Sequence, residues 1–137
     1  MSKARDLADF AVSTAVTETH TGDVDITGEL LVDSYNETVG TITSSDLDLE
    51  TGNVFNDAIS ADTTYTFSNP PASGTAYGFT LKVASTGTNT ITWPTSVDWA
   101  GGTAPDSPAD GETDVYGFYT TDGGTTYYGF QAGDAMA

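Results

Sequence analysis

The feature that most constrains the fold is a succession of short β-prone runs, separated by turn residues, from residue 21 onward. The chain holds 25 threonines together with many valines, isoleucines and aromatics, which suit a pleated, half-buried surface. The predicted strands are 24–26, 29–33, 38–43, 46–50, 63–67, 77–84, 89–93, 114–121 and 125–131. Many short strands with turn signals between them predict an all-β fold, a jelly-roll-like antiparallel β-sandwich over residues 21–137.

One predicted strand has two clearly different faces. The run from Asp46 to Glu50 alternates acid and leucine with period two, so that Leu47 and Leu49 share one face and the acids share the other. This pattern predicts an amphipathic strand with its leucines in the core and its acids in solvent.

The last two predicted strands form a hairpin around a turn at Asp122, Gly123 and Gly124. Its aromatic residues fall on both strand parities, with Tyr116, Phe118, Tyr128 and Phe130 on one and Tyr119 and Tyr127 on the other. Burying both parities takes more apolar surface than one small sandwich offers. We therefore expect these six residues to form the subunit interface of a closed homo-oligomer.

Residues 1–20 differ in composition from the rest and predict a short helical or extended arm. Two of the three bases of the chain lie in its first five residues. We predict that the arm anchors the protein to a larger particle through Lys3, Arg5, Leu7 and Phe10. No apolar core follows the basic start, so we do not expect a secretion signal, and synthesis in a cytoplasm is expected.

The charge balance limits the classes of partner. The chain has 20 acids against 3 bases, a net charge of -17, and Lys82 is the single base after residue 5. Such a surface repels phosphate backbones and anionic membranes, so neither nucleic acid nor membrane is expected as a partner. Solubility in a salty medium is the simplest role for these acids.

Residue types that carry catalysis are few. The chain has one histidine, His20, and no cysteine, which excludes a zinc site of several histidines and any thiolate chemistry. Five acids lie near Trp93 and Trp99, namely Asp98, Asp106, Asp110, Glu112 and Asp114. Proximity in sequence does not show that two carboxyl groups converge as sugar hydrolysis requires. We expect no enzyme and assign no catalytic residue.

Calcium is the one metal that the acids suggest. The spacing of Asp46, Asp48 and Glu50 resembles the start of an EF-hand loop, but Thr51 stands where that loop needs glycine. We therefore expect no dedicated metal site and no cofactor, only weak binding of calcium or magnesium by surface acids.

Several segments resemble, in the same order, segments common in structural proteins of tailed phages, especially marine ones. They are residues 47–55, 67–74, 79–83, 91–94, 99–105 and 121–130, preceded by an opening at 1–8 that resembles the start of many virion proteins. The resemblance covers roughly residues 1–12 and 46–131. No catalytic residue comes with it.

The resemblance implies a non-enzymatic virion protein, made in the host cytoplasm, with two alternative places on the particle. The first is a capsid decoration or cement protein, a homotrimer whose arm binds the major capsid protein or another virion protein. The second is a short tail fibre, spike or adaptor that contacts host glycans with Trp93, Trp99 and the 100–113 loop. The chain lacks the long repeated shaft of a fibre, which favours the first.

Overall fold

The computed structural model describes residues 27–136, and the chain divides into two compact units, Met1–Tyr35 and Asn36–Ala137. In the first unit the described residues, 27–35, form no strand, and Leu30 and Leu31 are exposed. The strand predicted at 29–33 is therefore wrong, because β propensity without a partner strand makes no ladder. The strand predicted at 24–26 lies outside the described residues.

The second unit is all β. Its strands are β1 (Ile42–Thr43), β2 (Asp46–Asp48), β3 (Val54–Ile59), β4 (Thr63–Thr64), β5 (Thr66–Ser68), β6 (Tyr77–Ser85), β7 (Ile91–Thr92), β8 (Val97–Trp99), β9 (Thr113–Thr120) and β10 (Tyr127–Met136). One 3₁₀ turn lies at Ala100–Gly102. In the described part of the chain no helix is long and apolar enough to cross a membrane.

A five-stranded sheet with the order β3-β6-β9-β10-β8 forms the main layer. Its centre, β6-β9-β10, is antiparallel, whereas β3 and β8 add to its edges in parallel. Strand β6 shows why it forms: Phe79, Leu81 and Val83 are buried on one face, and Lys82 is exposed between them on the other. This period-two burial is what a strand with one core face requires.

Two smaller sheets complete the unit, β1-β2-β5 and β4-β7. Phe67 on β5 meets the inner face of the main sheet, with its ring 5.1 Å from Phe79, 5.2 Å from Phe118 and 5.0 Å from Tyr127. Leu47 and Leu49 are buried as predicted, but the strand covers only Asp46–Asp48 of the predicted 46–50. Of the acids in that range only Glu50 is exposed, because Asp46 and Asp48 are half-buried and accept hydrogen bonds from neighbouring side chains. The predicted all-β, sandwich-like fold is confirmed, with parallel pairs at the sheet edges that an antiparallel sandwich did not predict.

Candidate functional site

The turn of the last hairpin is built around Asp122. Its carboxylate accepts hydrogen bonds from the Thr126 N–H at 3.0 Å and the Thr120 hydroxyl at 2.9 Å. These donors, with the Thr126 N–H foremost, lower the pKa of Asp122. Gly123 and Gly124 follow with φ of 71° and 77°, a backbone region that favours glycine. The predicted turn is confirmed, and it sets the register of β9 and β10.

That register corrects the predicted faces of the hairpin. Tyr128 pairs with Tyr119, and Phe130 pairs with Gly117, so even-numbered residues of β10 share a face with odd-numbered residues of β9. The six aromatics therefore divide three and three. Tyr116, Phe118 and Tyr127 are buried on the inner face, and Tyr119, Tyr128 and Phe130 are exposed on the outer face.

The three buried aromatics cannot form a subunit interface while the protomer keeps its core. The prediction is corrected for Tyr116, Phe118 and Tyr127, since a residue pairs across strands by register and not by the parity of its number. For Tyr119, Tyr128 and Phe130 the interface stays a prediction.

The outer aromatics are held in a defined arrangement. The rings of Tyr119 and Tyr128 stack with centroids 5.1 Å apart and an interplanar angle of 28°. The ring of Phe130 lies across Gly117, where a Cβ atom would stand 2.5 Å from a ring carbon. Gly117 is therefore required by the close approach of Phe130, and the three aromatics lie together on the outer face.

The two tryptophans belong mainly to the core. Trp99 is 9 % exposed and packs over Gly129, where a Cβ atom would stand 2.9 Å from its ring. Trp93 is half-buried, stacks on Tyr65 at 5.4 Å and meets Tyr116 edge-on at 4.7 Å. Trp99 is thus too enclosed to stack on a sugar, and a glycan contact would depend on Trp93 alone.

A cleft of about 500 Å³ lies beside Trp93. Its walls are aromatic rings, prolines and the hydroxyls of threonine and serine, and no carboxylate lines it. Tyr65 and Tyr127 reach it, and burial raises the pKa of both hydroxyls. A neutral cleft without acids lacks the paired carboxyl groups of a sugar hydrolase.

The acids near the tryptophans lie in separate surroundings. Asp98 is exposed on the outer face of the main sheet, opposite Tyr128, whereas Asp114 is 1 % exposed on the inner side. Asp110 accepts a hydrogen bond from the Gly87 N–H at 2.6 Å, and Glu112 accepts one from the Ala109 N–H at 3.0 Å. Asp98 and Asp114 are thus kept apart by the sheet itself.

Asp114 is the centre of a buried polar network that the sequence interpretation missed. One carboxylate oxygen accepts from the Tyr116 hydroxyl and from Gln131 Nε2, each at 3.0 Å, and the other accepts from the Ala135 N–H at 2.9 Å. Burial, and then this hydrogen bond, raises the pKa of Tyr116. The alternation of Asp114, Tyr116 and Phe118 along β9 was the signal that could have placed the acid inside.

Two further tyrosines are tied down inside the unit. The Tyr65 hydroxyl donates to Asp57 at 2.7 Å, and burial followed by this bond raises its pKa. The Tyr77 hydroxyl lies 2.8 Å from the Leu49 carbonyl and 2.6 Å from the Gly52 carbonyl, and burial raises its pKa to about 12. These hydroxyls act as cross-links between chain segments distant in sequence.

The acids of β2 also bind neighbouring side chains. Asp46 accepts hydrogen bonds from the hydroxyls of Thr66 and Ser68, each at 2.5 Å, and Asp48 accepts one from Asn69 at 2.8 Å. Within residues 27–136 no group of three histidine, aspartate or glutamate side chains could hold a metal ion. Weak binding of calcium or magnesium by surface acids stays a prediction.

The predicted anchoring residues, Lys3, Arg5, Leu7 and Phe10, lie outside the described residues. The site that the structure does assemble is therefore the exposed aromatic patch of Tyr119, Tyr128 and Phe130 on the outer face of the main sheet.

No protein-family model matches this chain, and neither a curated protein nor a solved structure matches it.

Proposed function

We propose that this protein is a non-enzymatic structural component of a tailed-phage virion, a decoration or cement protein on the capsid surface. The observation that carries the proposal is where the acidic side chains and the exposed apolar side chains lie. Asp114 and Asp46 are engaged in hydrogen bonds within the fold, and the cleft beside Trp93 has no carboxylate. Four of the five large apolar side chains left exposed on the second unit lie on the outer face of the main sheet, which suits assembly better than catalysis.

The segments that resemble phage virion proteins supply much of the core of this unit. Leu47 and Phe55 come from 47–55, Phe79 and Leu81 come from 79–83, and each is buried. What the resemblance covers is therefore a β module, and no catalytic residue comes with it. A shared module without shared catalytic residues supports a structural role.

Two features favour the capsid over the tail. The alternative, a tail fibre, spike or adaptor, was predicted to touch glycans with Trp93 and Trp99, and Trp99 is 9 % exposed. The net charge of -17 suits a protein that faces solvent at high density. In this proposal the partners are the major capsid protein or another virion protein, and further copies of the chain.

The number of copies per particle tests this proposal. We expect quantitative gel densitometry of purified particles to give a copy number close to that of the major capsid protein, because a decoration protein covers the shell. A copy number close to that of tail proteins would favour the fibre alternative. Absence from washed particles would contradict both.

A second prediction concerns the arm. Deleting residues 2–15 should abolish particle binding and leave the melting temperature nearly unchanged, because we expect the arm to serve anchoring and not the β fold. Exposed ion pairs of Lys3 and Arg5 would add only about 0–1 kcal/mol each. Leu7 and Phe10 would add about 1.5–3 kcal/mol each if buried against the shell.

Matched variants separate these contributions. Changing Leu7 and Phe10 to serine should remove binding, whereas changing Lys3 and Arg5 to glutamine should weaken it and make it less sensitive to salt. Binding is measured by co-sedimentation with particles stripped of the protein. A large fall in melting temperature on deletion would show that the arm belongs to the fold.

A further inference from the structure

The outer face of the main sheet gathers four of the five large apolar side chains that are exposed on the second unit. After Val39 in the described chain, the large apolar residues that are exposed are Tyr119 at 47 %, Tyr128 at 45 %, Phe130 at 52 % and Met136 at 51 %. By register all four lie on this one face, on β9 and β10. Monomeric proteins rarely leave such a patch uncovered unless it binds something.

The same face is almost free of the acids that cover the protein. Among the strand positions within residues 27–136 that point outward in this register, Asp98 is the one acid and Lys82 is the one base. The other outward-pointing residues of the sheet are apolar or neutral. For a chain with a net charge of -17, this face is where a second copy can approach with the least repulsion.

The two charges are placed symmetrically about the centre of the face. Gly117 and Phe130 are paired across the two middle strands. Lys82 lies one strand outward on β6, opposite Val115 and so two residues along β9 from Gly117. Asp98 lies one strand outward on β8, opposite Tyr128 and so two residues along β10 from Phe130, in the opposite direction along the sheet. The midpoint between the two charges is therefore the Gly117–Phe130 pair.

This symmetry has a geometric consequence. A two-fold axis can lie in the plane of the interface, pass through that midpoint and run perpendicular to the line between the charges. Rotation about this axis places Lys82 of one copy over Asp98 of the other. The reverse pair forms at the same time, as in any interface between identical patches. The aromatic patch then lies in the middle of the contact, with the two ion pairs toward its rim.

The area is of the right size. Five strands spaced about 4.8 Å apart, with an average of about seven residues of about 3.4 Å each, give a face of roughly 570 Å² before the relief of the side chains is counted. A stable interface buries about 800 Å² per partner. Two such sheets pack about 10 Å apart, a spacing that aromatic side chains fill.

We infer that the outer face of the main sheet packs against the same face of a second copy, with Lys82 of each copy paired to Asp98 of the other. The inference does not depend on the proposed function, because it rests on this face alone. It gives a two-fold pair, whereas the resemblance implies a trimer. Because the remaining surface is acidic, the pair should loosen at low ionic strength, where screening is weak.

Charge exchange on the full chain tests the pairing. Sedimentation equilibrium of the wild type at moderate salt should give twice the mass of the 14.2 kDa chain. Lys82→Asp and Asp98→Lys should each raise the dissociation constant by about tenfold or more, and the double variant should return to near the wild-type value. Both side chains are exposed, so folding should not change.

The variant Asp98→Lys separates this geometry from a simple charge effect. It lowers the net negative charge, so general repulsion predicts tighter association, whereas the proposed pairing predicts weaker association. Glu50→Lys makes the same change of charge at an exposed residue outside the main sheet, so as the control it should tighten association slightly. A wild type that stays monomeric at all salt concentrations, a trimer, or tighter association of Asp98→Lys would each overturn the inference.

Discussion

Raising the pH above about 10 is expected to destabilise the fold steeply, because buried tyrosines keep their protons in the folded state beyond the pH at which unfolded tyrosine ionises. Tyr65 and Tyr116 are 0 % exposed, and each hydroxyl donates to a carboxylate, of Asp57 and Asp114. Ionising either one would place a second negative charge against that carboxylate. Burial and these contacts raise the pKa of both hydroxyls.

The direction and the size of the effect follow from proton linkage. The folded pKa lies above the unfolded value, so the stabilisation is fully present below about pH 10 and is lost as the pH rises toward the folded pKa. Each retained proton steepens the loss by about 1.4 kcal/mol per pH unit, so the two tyrosines together give roughly 3 kcal/mol per unit. Burial raises the pKa of Tyr77 to about 12, so Tyr77 adds to the slope between about pH 10 and pH 12.

Denaturant unfolding at a series of alkaline pH values, followed by circular dichroism, measures this slope. Tyr65→Phe keeps the ring and removes the ionisable hydroxyl, so it should reduce the slope by about 1.4 kcal/mol per pH unit. Tyr35→Phe, at a tyrosine that is 73 % exposed and lies outside the strands, should leave the slope unchanged and is the control. Near-ultraviolet absorbance that shows every tyrosine of the folded protein ionising near pH 10 would contradict the prediction.

The local sequence pattern was sufficient to predict a strand where one face of that strand lies in the core. Strand β6 alternates buried apolar residues with residues that are exposed or half-buried, and it lies close to its predicted position. Strand β9 also lies close to its predicted position, although apolar residues occur on both of its faces. Strand β3, Val54–Ile59, was missed because Asn56 and Asp57 interrupt its apolar run. What makes it a strand is parallel pairing with β6, whose Thr80 is paired with Val54. That contact is tertiary and leaves no local signal.

The candidate site could be predicted in composition but not in arrangement. The aromatic hairpin and its turn followed from the sequence, because Asp122 and Gly123 are strong turn residues. Which aromatics face outward depends on the register after a six-residue loop, 121–126, and such a loop does not fix register by its residue types alone. The placement of Lys82 and Asp98 on one face depends on β8, a strand of three residues that is too short to be recognised by the period of its apolar residues.

Replacing Asp114 is expected to be the most damaging single change to an acid of this protein. Asp114→Ala leaves the Ala135 N–H, Gln131 Nε2 and the Tyr116 hydroxyl without their shared acceptor. A buried donor that loses its partner costs about 1–3 kcal/mol. Gln131 keeps a contact with Asp134 at 3.3 Å, so we expect a total loss of about 3 kcal/mol.

The conservative variant shows whether the carboxylate or only its shape is needed. Asp114→Asn keeps the volume and one acceptor oxygen, and the Tyr116 hydroxyl can turn to accept from the new amide, so we expect a loss of about 1–2 kcal/mol. Glu50→Ala, an acid exposed in solvent, should change stability by less than about 0.5 kcal/mol. Urea unfolding of the three variants beside the wild type gives the order. If Asp114→Ala unfolded at the same midpoint as Glu50→Ala, the network would not hold the end of β10 to β9, and the C-terminal residues of the sheet would need another source of stability.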